Sequence, residues 1–172
     1  MCLYIQKKEN RQVHEAESVI TVYKAVKVQD CLGYGVLLMS FFFNHIYHMG
    51  KSYKEQPDFT NKEQPDNMAS YLVSGIVNRG FHSYTTYERA LKEWENVECR
   101  SHWFNRIVIL KCEIPAGAKY LVGKSLCAAD DEEDNEICSD AIKVVAWCHP
   151  RIQREWCTEW DGKKYLEELK KH

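Results

Sequence analysis

The chain has no long hydrophobic run, little proline and no excess of charge of either sign. Its 172 residues include four prolines and carry a formal net charge of -2. No stretch approaches the roughly 20 apolar residues that a membrane helix needs. The longest candidate, "GVLLMSFFF" at 35–43, reads as a buried strand. The near balance of charge supplies no global positive field, so neither nucleic acid nor a membrane surface is an expected partner, although a local patch stays open. GxGxxG and Walker phosphate loops are absent, which removes two common nucleotide-binding architectures. The first residues, "MCLYIQKKENR", place their charges after the apolar residues, the reverse of a secretion signal, and point to the cytoplasm.

Cysteine is plentiful, yet the eight residues at 2, 31, 99, 112, 127, 138, 148 and 157 form no CxxC pair. Without a secretion signal, reduced thiols are the expectation, and Cys112, alternating within an apolar run, reads as a small core residue. His45-x-x-His48, Cys99-x-x-His102 and the adjacent Cys148-His149 differ in type and do not make the two matched pairs of a structural zinc site, so no metal is expected. No cysteine has the local signature of a nucleophile.

Hydrophobic content of 45% and charged content of 28% are those of an ordinary globular protein, at a length that suits one domain. "SVITVYKAVKV" at 18–28 and "RIVILKCEI" at 106–114 are β-branched strands. "PAG" at 115–117 is a turn, after which "AKYLVG" at 118–123 is expected to return antiparallel. "KEQPDF" at 54–59 nearly recurs as "KEQPDN" at 62–67, a loop with a local duplication. "NMASYLVSGIV" at 67–77 reads as a short helix. Thr85 and Glu88 have capping-box spacing, and Tyr87, Ala90, Leu91 and Trp94 then form one apolar helical stripe. "ADDEEDNE" at 129–136 is a solvated acidic loop and "DAIKVVAW" at 140–147 a late strand. Trp156 and Trp160, at i and i+4, are expected to dock a helical tail. The predicted architecture is α+β: a mixed or mainly antiparallel sheet with packed helices, with 1–150 as the core domain and 151–172 as a charged, aromatic-containing helical tail packed on it.

The stretch "RGFHSYTTYERALKEW" at 79–94 concentrates the chemistry. Gly80 can begin a strand directly after a turn, and Phe81 and His82 then point to opposite faces. With Phe81 in the core, His82 looks out beside the start of a helix, where free N–H groups favour an anion. Ser83, Tyr84, Thr85 and Thr86 add hydroxyls suited to a ribose or phosphate. The competing reading has His82 bonded to a backbone carbonyl and the hydroxyls capping the helix.

"VYKAV", "GKSY", "RGFHSYTTYERA", "CEIPAGAKYLVG" and "SDAIKVV" resemble, in the same order, a group of small proteins of bacteria and their phages. These share a Tyr-Lys strand, a Gly-Phe-His core and a late strand after a polar loop. The likeness spans about residues 19–147. More distantly, the 79–94 segment resembles the strand and helix of families related to ADP-ribosyltransferases. That resemblance implies a site for a nicotinamide dinucleotide, with Lys24 in the place of the gripping residue on an early strand. It implies Ser83 and Thr85 in the Ser/Thr strand and Glu136 as the nearest counterpart of a catalytic glutamate. Lysine stands where the families have arginine or histidine, and a point charge does not reproduce a guanidinium fork. Binding is therefore expected ahead of turnover.

Two functional expectations follow. One is a domain binding NAD or an ADP-ribose-like nucleotide, of ADP-ribosyltransferase-like architecture, through Lys24, His82, Ser83, Tyr84 and Thr85. The other is a non-enzymatic accessory protein of a phage or mobile element that binds a host macromolecule through the acidic loop and the aromatic tail.

Overall fold

In "RIVIL" the apolar residues do not alternate with polar ones, which calls for cover on both faces of the strand they form. The computed structural model describes residues 3–4, 13–41, 45–55, 76–77, 80–100, 106–125 and 136–171, and that strand lies at its centre. The elements run β1 (Leu3–Tyr4), β2 (His14–Glu15), β3 (Ile20–Cys31), β4 (Gly35–Met39), β5 (Ile46–Tyr47), β6 (Ser52–Lys54), β7 (Ile76–Val77) and β8 (Phe81–Tyr84). Helix α1 (Tyr87–Arg100) follows, then β9 (Ile107–Ile114), β10 (Lys119–Ser125), β11 (Glu136–Ser139), β12 (Ala141–His149), β13 (Gln153–Cys157) and helix α2 (Gly162–Leu169).

The main path of the sheet is β13-β12-β9-β3-β8-β11-β10-β1-β7, with β2, β4, β5 and β6 attached beside it. All described pairings are antiparallel. The expected α+β class with packed helices is thus replaced by a largely antiparallel β fold, and the ADP-ribosyltransferase-like arrangement falls with it. Much of the difference lies in stretches read as helix or loop. "QREWC" in the charged tail is strand β13, which extends the sheet, and Ile76–Val77 form strand β7. The rest of the helix expected at 67–77 lies outside the described residues, as do 56–67 of the duplicated loop and 129–135 of the acidic loop.

Two apolar clusters flank the sheet. On one side Val22, Val26, Val108, Leu110, Cys112, Ile142, Val144 and Trp147 pack together with Tyr165 of α2. On the other, Ala25, Ile107, Ile109 and Cys148 meet Tyr84 and the expected α1 stripe, with Ala90 and Trp94 buried and Tyr87 and Leu91 part-buried. Trp94 Nε1 donates to the carbonyl of Ile107 at 2.8 Å, so the ring fills space and pays no polar penalty. The cap of α1 lies one residue later than the expected Thr85: Thr86 Oγ1 accepts from Arg89 N at 3.3 Å.

After the Pro115–Gly117 turn β10 does not return along β9, as expected, but pairs with β11, β2 and β1. The turn is held elsewhere, by Gly117 N donating to Ala16 O at 2.8 Å and Ala16 N to Ala118 O at 2.9 Å. Trp156 and Trp160 do not share a helix face either. Trp160 packs on Trp147 and Tyr165, with centroids 4.8 and 5.3 Å away, whereas Trp156 contacts Tyr23 and Tyr87 across the sheet.

Trp160 Nε1 donates to Val36 O at 3.0 Å and so ties the approach to α2 onto β4. Gly162, at the first turn of that helix, lies against the same residue. A Cβ there would overlap Val36 Cβ and stand 2.9 Å from its Cγ1. Gly162→Ala should therefore lower stability by about 1–3 kcal/mol through overpacking, read as a lower urea midpoint with an unchanged slope. A variant as stable as the parent would show that α2 docks on β4 only loosely.

Candidate functional site

Strand β3 has two edges and more than two neighbours. Along one edge Ile20–Lys27 pair with β9. The other edge is divided: Tyr23 pairs with Tyr84 of β8, and Lys27–Cys31 pair with β4. Between these two attachments β8 and β4 part, and Lys24 stands at the fork. Its neighbours two residues away, Val22 and Val26, are fully buried on the same face. A lysine therefore occupies a position that the strand pattern assigns to the core.

The Lys24 side chain is half-buried. Its amine donates to the backbone carbonyl of His82 and lies 5.7 Å from the centroid of the Tyr47 ring. Burial pulls the amine below its ordinary pKa, opposed by the fields of Cys112, Cys138, Glu136 and Glu55. Among the described residues no carboxylate reaches ion-pair distance of the amine. Around it stand four rings. His45 lies 4.7 Å from Tyr47, 4.8 Å from Tyr53 and 5.6 Å from Phe81, and Tyr47 lies 5.6 Å from Tyr53. Tyr47 and Phe81 are sealed, whereas His45 and Tyr53 are part-exposed and Glu55 is open. Glu55 Oε2 accepts from Gly80 N at 3.2 Å, and Tyr53 Oη accepts from His48 N at 2.6 Å. Gly80 is in the left-handed region, φ 105°, which starts β8 directly after the turn.

The structure brings most of the sequence-derived candidates onto three adjacent strands. Register sets Glu136 opposite Tyr84, Ile137 opposite Ser83 and Cys138 opposite His82. Their surroundings differ from those expected. His82 is 4% exposed, Ser83 1%, Tyr84 1% and Glu136 1%, while Thr85 is part-exposed. The imidazole and the Lys24 amine do not face a shared open hollow: the amine reaches the His82 carbonyl, and the ring is enclosed. Cys138 Sγ lies 3.6 Å from His82 Nε2, but His82 Nδ1 and Ser83 Oγ meet no hydrogen-bond partner among the described residues.

Burial holds this cluster neutral. It pushes His82 down to about 3, with the Lys24 charge acting the same way, and pushes the Cys138 thiol up to about 12. A thiol and an imidazole both held uncharged do not form the thiolate–imidazolium pair of a cysteine nucleophile. The enclosed Glu136 carboxylate likewise offers little to a substrate arriving from solvent. The side chains of this group that keep some exposure are those of Lys24, His45 and Tyr53. Sequence reasoning missed those rings because His45 and Tyr53 lie on short segments around β5 and β6, and each meets Phe81 only through sheet pairing.

No group of three metal-binding side chains occurs among the described residues, and no described helix is long and apolar enough to cross a membrane.

The depressed His82 pKa makes stability depend on pH. The imidazole is neutral in both folded and unfolded chains above about 6.5, and below that only the unfolded chain takes up the proton. Stability should therefore fall as pH drops from about 6.5 towards 3, by at most about 1.4 kcal/mol per pH unit from this group. Urea midpoints between pH 7 and 4 should show the loss, and His82→Gln should flatten it. An equal slope in the variant would assign the loss to other groups. Lys24 acts in the same sense at alkaline pH: its folded pKa is lowered, so stability rises as pH climbs from that value to about 10.5.

No protein-family model matches the chain, and no curated protein or solved structure matches it either, so the chemistry of the site rests on its own geometry.

Proposed function

We propose that this protein is a binding domain for a small nucleotide-class anion, NAD or ADP-ribose-like in character, which enters at the Lys24 fork. One observation carries this reading: the amine of the half-buried Lys24 stands among aromatic rings with no carboxylate in contact among the described residues. A cation drawn from water without a counterion is costly, and its pKa is lowered accordingly. A bound phosphate or pyrophosphate would supply the missing counter-charge and favour the charged amine. The part-exposed His45 and Tyr53 rings, set edge-to-face with each other and with Phe81 and Tyr47, offer ring surface to a base.

In this reading His82 acts through its backbone carbonyl, which orients the amine, and Thr85 is a part-exposed hydroxyl at the end of β8. Ser83, Tyr84 and Glu136 support the strands from inside. The reading is one of binding ahead of turnover, since Glu136, the carboxylate that the resemblance singled out, is enclosed.

Lys24→Met keeps the length of the side chain and removes the charge. It should leave the unliganded protein as stable as the parent or slightly more so, because a partly desolvated amine gives way to an apolar group. In thermal-shift and calorimetric titrations with ADP-ribose, AMP and NAD, the parent should be stabilised by about 2.7 kcal/mol at 100 times Kd, and Lys24→Met should lose that response. Equal ligand affinity in parent and variant, or no response of the parent to any of the three, would defeat the reading.

A further inference from the structure

The opposite face of the sheet carries a second aromatic group, unrelated to Lys24. Tyr23 of β3, Tyr87 at the start of α1 and Trp156 of β13 form a closed triangle of rings. Centroids are 6.0 Å apart for Tyr23–Tyr87, 5.9 Å for Tyr23–Trp156 and 5.8 Å for Tyr87–Trp156, and two of the three pairs are edge-to-face. The three come from distant parts of the chain, and their rings reach each other across a sheet face whose residues at Ala25, Ala146 and Cys148 are small. Helix α1 covers only part of this face. Ile107 and Ile109 of β9 are buried, but Lys111 and Glu113, next on the same side, are part-exposed. Trp156 is 38% exposed, and Tyr23 and Tyr87 are part-exposed.

Two cations border the rings. Register places Lys111 directly beside Tyr23. Arg154 lies close enough for its charge to act on the Tyr87 hydroxyl, as does that of the neighbouring Glu88. Neither Lys111 nor Arg154 has an ion-pair partner among the described residues. Glu113, which shares the face, is matched by Lys143 at 4.0 Å.

We propose that the Tyr23–Tyr87–Trp156 face, bordered by Lys111 and Arg154, binds single-stranded nucleic acid by stacking bases on its rings. Aromatic rings on a sheet present flat surface to the face of any unpaired base, and flanking cations meet the phosphates between bases. A duplex hides its base faces and gains only the charge contacts. The chain as a whole is near neutral, so attraction is local and the salt dependence shallow. Two phosphate contacts to a single strand correspond to a log–log slope of about −1.4.

The test is fluorescence anisotropy of a labelled mixed-sequence single-stranded RNA of about 12 nucleotides, titrated with the full chain at several salt concentrations. The parent should bind with that shallow slope and prefer the single strand over a hairpin of the same composition by about tenfold. Trp156→Ala should weaken binding about tenfold. Lys111→Ala with Arg154→Ala should weaken it and flatten the slope to near zero. Melting temperatures check that the variants fold, and the double charge variant keeps the test decisive if Trp156→Ala does not. Absence of RNA binding at about 50 mM salt, equal affinity for the hairpin, or unchanged affinity in both variants would overturn the proposal. So would equal competition by an acidic peptide, which would mark the face as a protein contact. Lys24→Met should not alter this binding, so the two sites stand or fall separately.

Discussion

Strand β3 pairs with β9 along one edge and divides its other edge between β8 and β4, and the arrangement of both candidate surfaces follows from that division. Two antiparallel neighbours cannot occupy the same edge at the same residues, so where one leaves and the other arrives the backbone opens locally. Lys24 falls at that opening. Because side chains alternate along a strand, Tyr23 next to it is committed to the opposite face, where it meets Tyr87 and Trp156. Adjacent residues of one strand thus serve two separate environments, an amine under a fork and a ring on a platform.

The core explains why the opening does not spread. Strand β9 is covered on both faces through Ile107–Leu110, by the Val22–Val144 cluster on one side and by α1 on the other. Burial on this scale, at about 25 cal/mol per Å² of apolar surface, tolerates a few costly polar positions. Lys24, His82 and Ser83 are such positions. A buried imidazole nitrogen or hydroxyl without a hydrogen bond costs about 1–3 kcal/mol, and His82 Nδ1 and Ser83 Oγ are two such atoms.

Much of the chain was legible from local pattern. The 18–28, 80–84, 106–114 and 140–147 stretches read as strands, and β3, β8, β9 and β12 lie there because β-branched and apolar residues dominate each one. The stripe of Tyr87, Ala90, Leu91 and Trp94 marked α1 and its inward face. The tail is helical only over α2: Trp156 and Trp160 have helical spacing, yet Trp156 lies in strand β13, which ends at Cys157, and a bend at 158–159 separates the two. The return of β10 along β9 was misread because a Pro-Ala-Gly turn reads as a hairpin, whereas Lys119 is drawn to Asp140, whose Oδ1 accepts from Lys119 N at 3.0 Å. The open imidazole beside Lys24 was a matter of alternation read correctly and cover left unknown: Phe81 and His82 do face opposite ways, but both ways are covered.

Sequence alone therefore determined that the stretches at 20–28, 81–84, 107–114 and 141–147 extend and that 87–94 coils, because these follow from spacing within a single segment. The order of strands in the sheet, the fork at Lys24, the enclosure of His82 and Glu136, and the meeting of Tyr23, Tyr87 and Trp156 were decided by tertiary structure. Each depends on pairing between residues dozens of positions apart, selected by how whole strands bury their faces together, and no local period encodes that choice.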